Sequence, residues 1–317
     1  MGQGAKKGLV FHLPASWLTQ DGKEIPPFYQ KAFEGLDGLG VPYKTIVLDR
    51  ERVLQRIDAD ECFHLINHGN TPHPRALMVG LAYLYPFWHV DPKGIRAFSS
   101  IGETRFRPGQ IDGDTAREFL TGLRHKWVEP RKSRYEQQRQ IAEDLPEGAT
   151  AVFLQSEKYR LVEETCFMDC WQMIEACLEA DQGPVVVKPH PLDLDQDTYE
   201  RLVEMQNQHT DLHISLDNIH DILDSCERVV TINSAVGIEA YMHRKPVILC
   251  GQSDFHHIAD VARSPAALTE LLKQEPSGRV HAKFLYWYFA QNCVNAGRGN
   301  VARQILRKVR AAGYSLE

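Results

Sequence analysis

Residues 185–193 read Val-Val-Val-Lys-Pro-His-Pro-Leu-Asp, an apolar run that stops in a cation, an imidazole and two prolines. Lys188 supplies a compact charge with three donors, and His190 supplies ring N–H groups. Pro189 and Pro191 restrict φ, so the donors lose less entropy when they close on an anion. Just past the carboxyl end of a strand in an open α/β sheet, this is the donor set that a phosphate needs. Taken alone, the same four residues serve equally well as a stiff surface turn.

A second stretch, RVVTINSAVGIEAYMHRKPVILCG at 228–251, runs strand, polar turn, helix, Lys-Pro, strand. Asn233 or Ser234 is expected to cap that helix and turn its first N–H groups toward an anion. Ala235 is small enough for close approach to the backbone. Gly237 costs up to ~1 kcal/mol against alanine inside a helix, a cost that a ligand or a neighbouring strand coming close would explain. Glu239 lies one turn further on, flanked by Ile238 and Ala240, and can accept hydrogen bonds from a sugar diol.

An acid or base must come from elsewhere. WHVDPKG offers His89 and Asp91, FSSIGETRF offers Ser99, Ser100, Glu103 and Arg105, INHGN offers His68, and LQSEKYR offers Glu157 and Lys158. Each residue singly is more often structural. Glu103 is the first choice, because it follows a Ser-Ser-Ile-Gly turn, with Asp91 second and His190 also in reach of the chemistry. His256 and His257, with Asp254 and Asp260, suggest a metal only weakly, since adjacent histidines on one loop rarely share an ion; no metal is expected. There is no Walker loop, no GxGxxG after the first strand and no HExxH, so ATP and NAD lack support and no cofactor is expected. The seven cysteines show no CxxC spacing, and Cys166, Cys170 and Cys177 read as reduced thiols on one helix face.

The elements that must position these residues alternate. KGLVFHL, YKTIVLD, CFHLINHG and GIRAFSSIG read as strands of a first sheet, with PPFYQKAFEGLDGLG as a helix started by Pro26 and Pro27. Residues 115–142 read as helical and charged, and EDLPEGAT as a linker. ATAVFLQ, PVVVKPH, LHISL, RVVTIN and PVILCG then alternate with helices in a second, clearer series. Two doubly wound α/β domains follow, 1–145 for an acceptor and 146–280 for a nucleotide sugar, with loops at the strands' carboxyl ends as the site. Residues 281–317, aromatic and then basic and amphipathic, are expected to cross back as helices onto the first domain; a membrane-surface helix is the other reading. The length of 317 residues suits two domains of ~150 residues each. A formal net charge of −6 argues against a nucleic-acid binder. The N-terminus is not a secretion signal and no run reaches a membrane span, so a cytoplasmic protein is expected.

Taken together, KPHP followed by TINSAVGIEA and KPVILCG resembles the capsule polysaccharide synthesis family, the bacterial Kdo transferases of capsule assembly. AVFLQSE, with Gln155 at its strand end, is similar to that family's FLQ element. Bacterial sialyltransferases, which also use CMP-sugars, similarly hold the CMP phosphate with a His-Pro pair and a serine at a helix start. The resemblance spans roughly residues 150–255. It implies the GT-B architecture, two Rossmann-like domains facing a cleft, and a CMP-Kdo-like donor held by Gln155, Lys188, His190, Asn233, Ser234, Ala235 and Glu239. It also implies a glycan or glycolipid acceptor, which would bring the protein to the inner face of the membrane. The same run is similar to the Asp-Ser-Gly-Gly…Glu-Glu…Lys-Pro-Val pattern of UDP-N-acetylglucosamine 2-epimerases. This chain departs from it at Ala235-Val236 and Ala240, so the epimerase stands second. A non-catalytic glycan- or nucleotide-binding member of the fold stands third.

Overall fold

The computed structural model describes residues 7–19, 25–142, 144–155, 166–191, 196–275 and 279–316. In chain order the elements begin with β1 (Leu9–Leu13), α1 (Pro27–Gly38), β2 (Tyr43–Val47), α2 (Val53–Asp58), β3 (Phe63–Asn67), β4 (Ala76–Leu81) and β5 (Phe87–Asp91). There follow α3 (Gly113–Trp127), β6 (Thr150–Phe153), α4 (Cys170–Ala180), β7 (Val185–Lys188), α5 (Gln196–Gln208) and β8 (Leu212–Ile214). Next come α6 (Ile219–Ser225), β9 (Arg228–Thr231), α7 (Val236–Met242), β10 (Val247–Leu249), β11 (Asp260–Val261) and α8 (Pro265–Leu272). The chain closes with α9 (His281–Leu285), β12 (Val294–Asn295) and α10 (Val301–Ala311). It divides into two compact units, 1–104 with 288–317, and 105–287.

In the first unit the sheet order is β12-β5-β4-β3-β1-β2. β1 to β4 run parallel, while β5 and β12 are antiparallel to their neighbours. β1 is buried along its whole length, as a central parallel strand must be when helices cover both faces. Pro27 opens α1 where its missing N–H costs nothing, and Phe28, Tyr29, Ala32 and Leu36 form its inner face. Phe28 stacks on Trp88 with ring centroids 4.4 Å apart. α10 lays Val301, Ala302, Ile305, Leu306 and Val309 into the same core. A Cβ at Gly35 would stand 2.8 Å from that of Ala302, so α1 and α10 meet at a glycine.

The second unit is regular. Its six parallel strands lie in the order β11-β10-β9-β6-β7-β8. Counted along the chain from β6, that is the 3-2-1-4-5-6 order of a dinucleotide-type doubly wound sheet. The strand order therefore reverses between β6 and β9. Asp169 caps α4 with a reciprocal box to Gln172.

Several expectations fail for identifiable reasons. GIRAFSSIG is not a strand: Asp91 accepts from the backbone of Lys93, Gly94 and Ser100, and the chain curls round that carboxylate in two short 3₁₀ turns. The strands beside it are β4 and β5, which the sequence reading passed over. The helix expected over 115–142 stops at Trp127. Pro130 offers no N–H, and Arg131 takes φ +51°, so 128–142 runs on as an irregular strap. The strap belongs with the second unit, because Arg131 and the Ala142 N–H both bind the Asp221 carboxylate on α6, and α3 joins it there through Arg124, which donates to the Met242 carbonyl. The unit boundary thus falls at 104/105 rather than near 146, and the return to the first unit at 287/288 rather than 281. Cys166 lies outside α4, in an isolated bridge to Gly251, so the three cysteines share no helix face. All seven are free thiols.

Candidate functional site

At the point where β6 and β9 part, both strands end in an amide side chain. Gln155 donates to Asn233 Oδ1 at 2.8 Å and accepts from the Asn233 backbone N–H at 2.6 Å. Asn233 Nδ2 donates in turn to the Gln252 carbonyl past β10 at 2.9 Å. Three strand ends are thereby tied together across the crevice where doubly wound sheets bind ligands.

This use of Asn233 changes the start of α7. Its side chain is spent on the strand ends and does not cap the helix. Ala235 is the N-cap residue, without a side-chain bond, and Ser234 Oγ accepts only from the Val236 N–H, at 3.4 Å. Ser234 and Ala235 remain half-buried, and α7 is two turns long. Gly237 is explained by packing rather than by a ligand: a Cβ there would stand 2.7 Å from the Phe255 ring.

Lys188 ends β7 with 8 % of its surface exposed, and its ammonium donates to the Asp217 carbonyl at 2.6 Å. Burial lowers its pKa to about 8, against the pull of Asp217. One of its three donors is therefore already engaged with the loop after β8. His190 is less buried and meets the edge of the Tyr135 ring, centroids 5.0 Å apart.

Glu239 is the most perturbed acid of the group. It is 1 % exposed, and burial raises its pKa to about 8, opposed by a hydrogen bond from the Ser133 side chain. Its Oε1 has no hydrogen-bond partner. Ser133 and Tyr135 both come from the strap, only two residues apart, a reach of ~7 Å. The strap thus touches both α7, at Glu239, and the loop after β7, at His190. The strap itself is fixed by Arg131 to Asp221, by Asn218 Nδ2 to the Arg131 and Gln138 carbonyls, and by His220 Nε2 to the Lys132 carbonyl at 2.7 Å. Sequence reasoning missed Ser133 and Tyr135 because it ran a helix through them. The signal that would have found them is Glu129-Pro130.

The first two acid–base choices, Glu103 and Asp91, lie in the first unit, as do His68 and His89. Asp91 is buried, with its oxygens taken up by Lys93 N, Gly94 N, Ser99 Oγ and both donors of Ser100, whose hydroxyl is at 2.6 Å. It organises a turn and has little capacity left for a substrate proton. Glu103 ends that turn, exposed and paired with Lys93. His89 is buried against the Tyr288 hydroxyl, and burial lowers its pKa to about 3. Glu157 and Lys158 lie outside the described residues. Asp260 is bound to Arg279, and His256 to the Ser253 carbonyl. No described helix is long and apolar enough to cross a membrane.

Two α/β units, the second with the strand order of a doubly wound sheet, define a fold class, and comparison narrows it. Residues 170–295 match the family model described as "Capsule polysaccharide biosynthesis protein", and the resemblance read from KPHP and TINSAVGIEA is borne out. Among solved structures, the chain is similar to the β-Kdo 2,7 transferase of Thermosulfurimonas dismutans KpsC, at 12 % identity and TM-score 0.58, over 96 % of this chain and 99 % of that one. It is also similar to the β-Kdo 2,4 transferase of the same protein, at 15 % identity and TM-score 0.56, over 96 % and 98 %. At such identities the likeness is one of fold. No curated protein matches by sequence.

Proposed function

We propose that the protein is a glycosyltransferase of capsule or surface polysaccharide assembly, with a CMP-activated ulosonic acid of the Kdo type as donor. The observation that carries this reading is Glu239: a buried carboxyl on α7, bonded by Ser133 of the strap, with one oxygen unmatched. An unmatched buried polar atom costs ~1–3 kcal/mol, and a ligand hydroxyl would remove that cost. In this reading the ribose diol donates to Glu239, while His190 and Ser234 hold the phosphate. Gln155 and Asn233 form the floor, Ala235 admits the ligand to the backbone, and Lys188 adds positive potential from beneath. The bond between the anomeric carbon and the phosphate oxygen breaks, and its electron pair leaves on CMP. The acceptor hydroxyl oxygen makes the new bond, and Glu103, on the turn that Asp91 organises, takes its proton. No cofactor or metal is invoked. The acceptor is a glycan or glycolipid bound by the first unit, and a lipid-linked one would bring a cytoplasmic protein to the membrane.

Thermal protection tests the donor. CMP or CTP at 100 times its dissociation constant should add ~2.7 kcal/mol of stability, visible as a melting shift, and UDP-N-acetylglucosamine should add less. Protection by the UDP-sugar alone would replace this reading with the 2-epimerase.

A further inference from the structure

Between Ala282 and Leu316 the chain carries six lysines and arginines and not one aspartate or glutamate. The protein as a whole has 36 basic and 42 acidic residues, so this is a local reversal of sign. The structure concentrates it. Arg303, Arg307 and Arg310 are all exposed on α10, at spacings of four and three residues. At 100° per residue they fall within an arc of about 60°, in a row roughly 10 Å long. The opposite face of the helix is the one sunk into the core, so the row points away from the first unit. Arg298 is exposed in the turn just before the helix and adds a fourth cation near its amino end. Among the described residues none of these four guanidinium groups meets a carboxylate or a carbonyl. Lys308 stands apart, since its ammonium donates to the Asn292 carbonyl.

On a chain of net −6, Arg310 favours the last turn of α10 through the helix dipole, but Arg298, Arg303 and Arg307 carry no such reason in the fold. A solvated helix face normally mixes both signs, and this one does not. We infer that the exposed face of α10, with Arg298, is a docking surface for an anionic lipid bilayer. A planar, laterally continuous anion can meet these side chains at once, and the chain's net charge of −6 argues against a nucleic acid in its place. Because the apolar side of α10 is already buried, the contact is electrostatic and does not insert. Each arginine near an anionic leaflet strengthens binding about fivefold, so the row is worth a few hundredfold, and salt screens it. This surface is independent of the donor site and would serve whatever the protein transfers.

The test is co-sedimentation of the full chain with phosphatidylcholine vesicles, with and without 30 % phosphatidylglycerol (the fraction is a choice of probe, on the order of that in an anionic leaflet). The wild type should sediment with the anionic vesicles only, and be released by high salt. R303Q/R307Q/R310Q should lose roughly a hundredfold in binding, while R52Q/R117Q/K273Q, equal in net charge change but scattered, should bind as wild type does. Circular dichroism and a melt establish that each variant is folded. Equal loss in both triple variants would mean that net charge and not this surface is responsible, and would overturn the assignment. So would a wild type that ignores the vesicles but is retained on a soluble polyanion such as heparin.

Discussion

Burial lifts Glu239 to about 8, so at neutral pH the empty site holds it mostly as the neutral acid. A ribose diol donating to both oxygens favours the carboxylate and lowers that pKa. Nucleotide binding at pH 7 should therefore release protons from Glu239. Lys188, lowered to about 8 by burial, works in the other direction, since a phosphate above it favours the ammonium and draws a proton in. Calorimetry of CMP binding in two buffers of different ionisation enthalpy separates the two. Wild type should release more protons than Glu239→Gln, which keeps the shape and loses the titration; identical proton counts would remove Glu239 from the site. His190→Ala should weaken CMP by about 1.5–3 kcal/mol, the scale of a charge-assisted hydrogen bond. Its melting temperature should barely move, because the ring packs on the strap and not in the core. A large drop in melting temperature with unchanged CMP binding would make KPHP a structural turn.

The strap is where local sequence and tertiary structure part company. Residues 128–142 carry helix-forming side chains, and charge pairs at helical spacing made them look continuous with α3. What overrides that propensity is a set of long-range bonds that no local window contains: Arg131 and Ala142 N to Asp221, and Asn218 and His220 to strap carbonyls. Five of the six strands of the second sheet, by contrast, are readable, because β6, β7, β9 and β10 are short, fully buried runs closed by a turn, while the two half-buried residues of β11 carry no such pattern. The same holds for the loops after β7 and β9, whose unusual residues announced themselves. The β4–β5 pair and the Asp91 turn were not readable, since a carboxylate that gathers its own loop looks in sequence like one that faces a substrate. Arg131→Ala should release the strap at little global cost. Amide exchange in 132–142 should accelerate, CMP affinity should fall as Ser133 and Tyr135 lose their fixed places, and the exchange of β6, β7 and β9 should stay as it was. Unchanged exchange in 132–142 would show that the strap is held without Arg131.

At the scale of the whole molecule, the two units differ in how they meet acid. In the first unit burial lowers His12 to about 4 and His89 to about 3, and lowers His64 as well. In the second, burial lowers His281 to about 4, and lowers His220 and His243. A histidine whose folded pKa is depressed contributes stability that is intact above its unfolded value near 6.5 and is lost as the pH falls toward the folded value. Both units therefore soften between about pH 6.5 and 4. Glu239 has the opposite sign: raised to about 8, it holds a proton in the folded second unit that the unfolded chain gives up above about 4.5. Near pH 5.5 His12 and His89 alone leave the unfolded first unit with about two more protons than the folded one, and His64 adds in the same direction. The second unit has the same histidine excess less about one proton for Glu239, at ~1.4 kcal/mol per proton and pH unit. The first unit should be the more acid-sensitive. Amide exchange followed from pH 7 to pH 4.5, corrected for the intrinsic rate, should show β1–β5 and α10 losing protection before β6–β10. Glu239→Gln should close that gap by steepening the acid response of the second unit alone. If the second unit opens first in the wild type, the balance of buried histidines against Glu239 does not govern the acid limit of this fold.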